Sequence, residues 1–304
     1  MISVLMNCYN GERYLRETIE SLESQTFKDF EVVFIDNQSS DKSKQLIEAS
    51  SLNVRYFKTE KKISLGEARK FGLERCTRRY VCFLDTDDIY TVEALNILHN
   101  AISQSDYGFV YGNQLLIDGN SKHIGRIRNK YAGQSGAFFG KLLYHWDIPL
   151  VATIVDRDKI LSSQITFQSH YEGSEEFDFF LRIAACFDAK AIDEYVVQYR
   201  IHSSLSSRLG DRIFIEREKA LNDLKRDFPG LMNSHSKELD HGLARLEYYK
   251  AQRDMKNGNY KIARLRLEKL VFIDFRYTIL FIVSCFPWFW RQVQLAKYRD
   301  HAKQ

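Results

Sequence analysis

Short apolar runs and longer amphipathic segments take turns along the first 111 residues. β-branched and aromatic residues gather at 2–6, 31–35, 54–57, 80–84 and 107–111, while segments with helical apolar spacing fill 13–25, 41–50, 65–76 and 91–103. Apolar strands alternating with helices predict a doubly wound, mostly parallel α/β sheet. Sheets of this kind bind ligands outside the carboxyl ends of their strands. That rim should carry three polar clusters: Asn7-Cys8-Tyr9-Asn10, the stretch from Asp36 to Asp41, and the Asp85-Thr86-Asp87-Asp88 turn.

The pattern then loosens. Residues 112–170 are rich in glycine (Gly112, Gly119, Gly125, Gly133, Gly136, Gly140) and read as loops and short strands covering the rim. Order returns at 171–202, where Glu175-Glu176-Phe177-Asp178 runs into a helix ending near Ala185. A strand at about 195–200 follows, then Arg200-Ile201-His202. Beyond 207 the spacing is helical throughout. Residues 244–270 read as a helix hairpin broken at Asn257-Gly258-Asn259, which resembles a single tetratricopeptide unit. The chain thus divides into a domain over 1–206, with halves 1–111 and 112–206, and a helical extension over 207–304.

Charge sharpens that division. Residues 1–205 hold 24 basic and 28 acidic side chains, whereas 206–304 hold 20 and 12, so a near-neutral net charge of +4 hides a basic tail. Such a tail suits an anionic surface. The acidic rim would repel nucleic-acid phosphates, which disfavours a nucleic-acid binder. The five cysteines have no C-x-x-C spacing and read as buried, reduced thiols. The apolar run at 2–6 is too short for a signal peptide, and a cytoplasmic setting is expected. The apolar stretch 277–290 is interrupted by Pro287 and falls short of the ~20 residues a spanning helix needs. Either it packs on the folded chain, or it lies on the inner face of a membrane with Phe286, Trp288, Phe289 and Trp290 at the interface.

Three aspartates closing one strand repel one another and need a reason. One could cap the next helix, ahead of Thr91-Val92-Glu93. All three make a hard oxygen site suited to Mg²⁺ or Mn²⁺, shared with substrate phosphates. Asp36 could accept from a base imide or a ribose hydroxyl, or begin an Asx-turn. Tyr9 could stack on a base or pack in the core. Arg69 could meet phosphate, or an acid such as Glu67. Glu175 and Glu176 either form an acidic helix start or hold a general base.

Six segments in order carry a resemblance: Asn7-Cys-Tyr-Asn10, Ser21-Leu-x-x-Gln25-Thr-Phe, Phe30 to Asp36, Ser39-Ser-Asp41, Ala68-Arg69 and Phe83-Leu-Asp-Thr-Asp-Asp88. Over about 1–205 the series resembles the family 2 glycosyltransferases of GT-A fold. The resemblance implies inverting transfer of a sugar, by a hexosyl- or N-acetylhexosaminyltransferase, from a nucleotide-diphosphate donor, most often a UDP-sugar. It makes 1–111 the nucleotide-binding half and 112–206 the acceptor-binding half. Asp36 would then hold the base, Tyr9 would line its pocket beside Asn7, and Asp85 would touch ribose. Asp87 and Asp88 would hold Mn²⁺ or Mg²⁺, with His202 in reach of metal or diphosphate. Arg69 and Arg200 would serve the donor. Glu176 stands where the family commonly has an aspartate base, so Glu175 and Glu176 both stay candidates. Lys70 replaces an asparagine usual after the Ala-Arg pair.

Other enzyme classes fit less well. A haloacid-dehalogenase phosphatase carries its Asp-x-Asp after the first strand, not the fourth. A nucleotidyltransferase would show a glycine-rich loop after strand one, and no G-x-G-x-x-G serves a dinucleotide. A catalytically inactive nucleotide-sugar-binding or scaffold subunit of a glycan-assembly complex is the alternative. The expected acceptor is a glycan or lipid-linked glycan, presented at an anionic membrane surface.

Overall fold

The computed structural model describes residues 1–202, 212–286 and 288. Met1–Leu231 and Met232–Gln304 form two compact units.

The first unit opens with the expected alternation: β1 (Ile2–Cys8), α1 (Glu12–Glu23), β2 (Phe30–Asp36), α2 (Ser43–Glu48), β3 (Val54–Lys58), α3 (Leu65–Leu73) and β4 (Tyr80–Phe83). After the acidic turn come β5 (Ile89–Tyr90), α4 (Ala94–Ser103), β6 (Phe109–Ile117), β7 (His123–Ile127), β8 (Ser135–Gly136) and α5 (Phe139–Tyr144). The unit ends with β9 (Thr153–Asp156), α6 (Arg157–Ser162), α7 (Glu175–Cys186), β10 (Ala189–Arg200) and α8 (Arg212–Asp227).

Among the described residues the strands make one sheet ordered β3-β2-β1-β4-β9-β6-β10-β5, with β7 on β6 and β8 on β10. β1 pairs in parallel with β2 and β4, β2 with β3, and β6 with β10, while β9 runs antiparallel between β4 and β6. Two reversals through β9 leave β6 and β10 pointing the same way as β1 to β4. The ends at Cys8, Asp36, Phe83, Ile117 and Arg200 therefore share one rim.

β9 corrects the expectation that 112–170 only covers the rim. All four of its residues are buried in mid-sheet. Asp156 ends it by capping α6 and accepting from Arg79 Nη2 at 2.9 Å.

α1 and α4 pack Leu15, Ile19, Leu22, Leu95, Leu98 and Ile102 on one sheet face, against Val4, Met6, Val32 and Phe34. Each such side chain, fully buried, contributes about 1.5–3 kcal/mol. On the other face α3 lies close to β1 because Gly72 has no side chain. A Cβ there would overlap Leu5 and come within 3.0 Å of Ile35. All five cysteines are free, and Cys186 and Cys285 are exposed rather than buried.

The boundary expected at 206/207 falls in the undescribed stretch 203–211. The first compact unit continues to Leu231, so α8 counts with it. α9 (Pro229–Ser234) follows, then α10 (Ser236–Lys256), α11 (Tyr260–Glu268) and α12 (Phe275–Cys285). The hairpin between α10 and α11 turns at Gly258, whose φ of +81° favours glycine. Ala251, Met255, Ala263, Leu267 and Leu280 make the small core of this second unit. Phe272, Phe275, Ile279, Ile282, Phe286 and Trp288 stay exposed. Among the described residues no helix is long and apolar enough to cross a membrane. Pro287, Phe289 and Trp290 lie outside the described residues.

Candidate active site

The rim gathers the three predicted clusters. Asp36 closes β2 buried at 1% exposure, its Oδ1 accepting from the Ser39 amide at 2.7 Å and its Oδ2 from the Tyr56 hydroxyl. Tyr56, paired with Phe34 in the β2–β3 register, reaches along the strands to orient that carboxylate, and the sequence reading missed it. Its only signal was alternation along an ordinary strand. Asn37 fixes the loop beyond β3, its side chain exchanging two hydrogen bonds of 2.9 Å with the Ile63 backbone. That loop sets Lys62 Nζ 3.5 Å from the Tyr9 ring centroid. Tyr9 is 47% exposed and so is not core. Asn7 lies at the end of β1 with its Oδ1 buried and without a hydrogen bond.

The acidic turn follows β4. One oxygen from each of Asp85, Asp87 and Asp88 lies within 4.8 Å of the others. None of them caps α4, contrary to the capping alternative. That helix starts after Glu93 with no side-chain cap, and its Leu95 amide donates to Gln25 Oε1 at 3.1 Å. Asp88 is buried, with Oδ1 accepting the Arg200 amide at 2.8 Å and Oδ2 left without a hydrogen bond. Burial, followed by the charges of Asp87 and Asp85, holds the Asp88 carboxyl well above the usual range. Loss of hydration raises Asp85 too, against the pull of Arg69. Crowded carboxylates with an orphaned buried oxygen fit a divalent cation. His202 Nε2 sits 2.7 Å from Asp87 Oδ2, beside that cluster.

Arg200, expected on the donor, is instead consumed within the protein. Its side chain is wholly buried. Nε donates to the Asp87 carbonyl at 2.8 Å, Nη1 to Ser121 Oγ at 2.8 Å, and Nη2 to Glu17 at 3.0 Å. The guanidinium also lies 4.3 Å from the Tyr14 ring centroid. Arg200 thus staples the acidic turn to α1 and to the β6–β7 hairpin.

Opposite the turn stands the amino end of α7. Gly66 lets α3 approach it, since a Cβ there would meet two backbone carbonyls at 2.6 Å. Arg69, 4% exposed, consequently reaches three acids. It pairs tightly with Glu175, lies 3.7 Å from Asp85 Oδ1 and 4.0 Å from Glu176 Oε2, and has no bond to Glu67.

The two glutamates differ. Glu175 is 2% exposed, tied to Arg69, and its second oxygen is buried without a hydrogen bond. Glu176 keeps 32% of its side chain exposed, facing the cleft. Loss of hydration in that concave floor outweighs the nearby Arg69 and pushes its carboxyl up to about 7. The cleft has a volume of about 1040 Å³ and also contains Lys62, Arg69, Asp85, Trp146 and Tyr199. Trp146 packs on Phe177 with ring centroids 5.0 Å apart. It comes from the weakly patterned 112–170 region, so nothing in the sequence pointed to it.

The model of Glycosyl transferase family 2 matches residues 3–163. The chain belongs to that family. Among its relatives is the UDP-Glc:alpha-D-GlcNAc-diphosphoundecaprenol beta-1,3-glucosyltransferase WfgD of Escherichia coli, 27% identical over 52% of this chain. Another is the amylovoran biosynthesis glycosyltransferase AmsB of Erwinia amylovora, 25% identical over 59% of this chain. The matches span 60% and 62% of those relatives, less than two thirds of either. S. aureus TarS 1–349, solved in complex with UDP-GlcNAc, superposes with a TM-score of 0.59 at 15% identity, covering 98% of this chain and 92% of that one. The α/β glycosyltransferase fold expected from the six segments is the fold observed. The matched residues include Asp36, Arg69 and the acidic turn, whereas Glu175, Glu176 and His202 lie beyond residue 163.

Proposed function

We propose that this family 2 member transfers a sugar, with inversion, from a UDP-sugar to a hydroxyl of a glycan or lipid-linked glycan. One observation carries this reading. Asp85, which opens the acidic turn, and Glu176 at the start of α7 both line one cleft, with Arg69 3.7 Å from the first and 4.0 Å from the second. Inverting transfer needs that separation, because the leaving diphosphate and the incoming hydroxyl lie on opposite sides of the sugar.

Asp36 holds the base, Tyr9 stacks on it, and Asp85 meets the ribose. Asp87, Asp88 and His202 would hold Mn²⁺ or Mg²⁺, and the ion would supply positive charge against that of a departing diphosphate. Glu176 accepts the proton of the attacking hydroxyl. Glu175, 2% exposed and tied to Arg69, serves as the counter-charge of that guanidinium. The acceptor lies beside Trp146, in the half formed by 112–206. The lipid-linked acceptor and UDP-sugar of the Escherichia coli relative, and the UDP-GlcNAc of the S. aureus complex, support this class of substrates.

The test is release of UDP from UDP-sugars. Release is expected with Mn²⁺, lost on chelation, and reduced about 10²-fold or more in both Asp87→Ala and Glu176→Gln. UDP-sugar binding with no turnover on any acceptor would favour the inactive scaffold subunit instead.

Peripheral attachment to the inner face of a membrane belongs to the same proposal. Its support is the basic balance of 206–304 and the exposed Phe272, Phe275, Phe286 and Trp288. The full chain should sediment with vesicles containing phosphatidylglycerol and be partly released by salt, which screens the charges. Equal recovery in the supernatant with and without vesicles would remove this part.

A further inference from the structure

Helix α8 reaches back over the loop in front of the candidate base, and the contacts are polar and specific. Glu216 is 6% exposed. Its carboxylate accepts the Gly173 amide at 2.9 Å and the Glu172 amide at 3.2 Å. Arg212 Nε donates to the same carboxylate at 2.8 Å and also pairs with Glu172. Ser174 Oγ donates to the Ile213 carbonyl at 3.1 Å. Further along α8, Asp223 accepts from the Tyr171 hydroxyl at 3.0 Å, and Asp227 accepts from Arg182 of α7 at 2.9 Å.

The bonds from Arg212, Ile213 and Glu216 converge on residues 172–174, and Ser174 is the residue before Glu175-Glu176. We propose that Glu216 is a positioning residue: by holding the 172–174 backbone it sets where the first turn of α7 presents Glu176 to the cleft. The proposal rests on Glu176 being the base. A buried carboxylate is costly unless its hydrogen bonds are made, and the two backbone amides that Glu216 accepts from belong to a loop, not to a helix or sheet that would form without it. α8 adds a second link. Arg217 lies 5.1 Å from the ring centroid of Phe177, the neighbour of Glu176. The charged groups acting on Glu176 thus come from four places: Arg69 of α3, Asp85 of the acidic turn, Glu175 beside it and Arg217 of α8. Releasing the loop changes its distance to all of them.

The experiment compares Glu216→Ala, Glu216→Gln and Glu176→Gln in the full chain, measuring UDP affinity, kcat and the pH profile of transfer. Glu216→Ala should lower kcat roughly 10- to 100-fold, the scale of a misplacement near 1 Å. UDP affinity should stay within about twofold, and the acid limb of the profile should move. Glu216→Gln, which keeps an acceptor oxygen and the shape, should lose less. It carries the test if the alanine variant does not fold. A native kcat and an unmoved acid limb in both variants would overturn the proposal, as would loss of UDP affinity in step with kcat. An active Glu176→Gln would instead sink the base assignment, and a dead Glu176→Gln beside native Glu216 variants would sink only this inference.

Discussion

Glu176→Gln is expected to bind UDP as the native chain does and to transfer sugar about 10²- to 10⁴-fold more slowly, the range that one positioned base supplies. Glutamine keeps the size and the cleft contacts but cannot take a proton. The native pH profile should show the same group. A base works only as the carboxylate, and burial pushes Glu176 up to about 7. Transfer should therefore be flat above that pH and fall about tenfold per unit below it. Initial rates from pH 5.5 to 8.5 with saturating donor check this. An acid limb displaced to the ordinary glutamate range, or a glutamine variant of native rate, would show that another group takes the proton.

Arg69→Met should cost both stability and activity. The methionine fills the space but leaves Glu175 buried, with no counter-charge and an oxygen that already lacks a hydrogen bond. Breaking a buried pair from one side costs about 3–5 kcal/mol, which in a chain of this size lowers Tm by roughly 5–8 °C. Transfer should fall as well, because Arg69 links the acidic turn to the candidate base. The double variant Arg69→Met/Glu175→Gln separates the causes: removing the stranded charge should recover much of the lost Tm while activity stays low. Native Tm in the single variant, or recovery of both properties in the double, would contradict this account.

Much of the donor half was legible in the chain. Its strands are short apolar runs and its helices carry clear 3.6-residue spacing, so β1 to β4 and the rim polar clusters follow from local pattern alone. β9 was not legible. Thr153–Asp156 is four residues with no alternation, and its central place depends on antiparallel partners 42 to 76 residues earlier in the chain. Trp146 and Lys62 stayed hidden for a related reason: loops announce no direction until something packs beneath them. Arg200 misled in the opposite way. A basic residue near an acidic turn suggests a ligand contact, yet the fold buries it as a brace under Tyr14 and beside Glu17.

Strand–helix alternation, the rim and the residue types available for chemistry are written in the chain itself, because these depend on neighbours a few positions apart. What separates Glu175 from Glu176 is their tertiary surroundings. The two are adjacent and chemically identical, and helix geometry turns one toward Arg69 in the interior and the other toward the cleft. Dielectric surroundings and counter-charge come from residues about 100 positions away, and those are what make one glutamate an ion-pair partner and the other a candidate base.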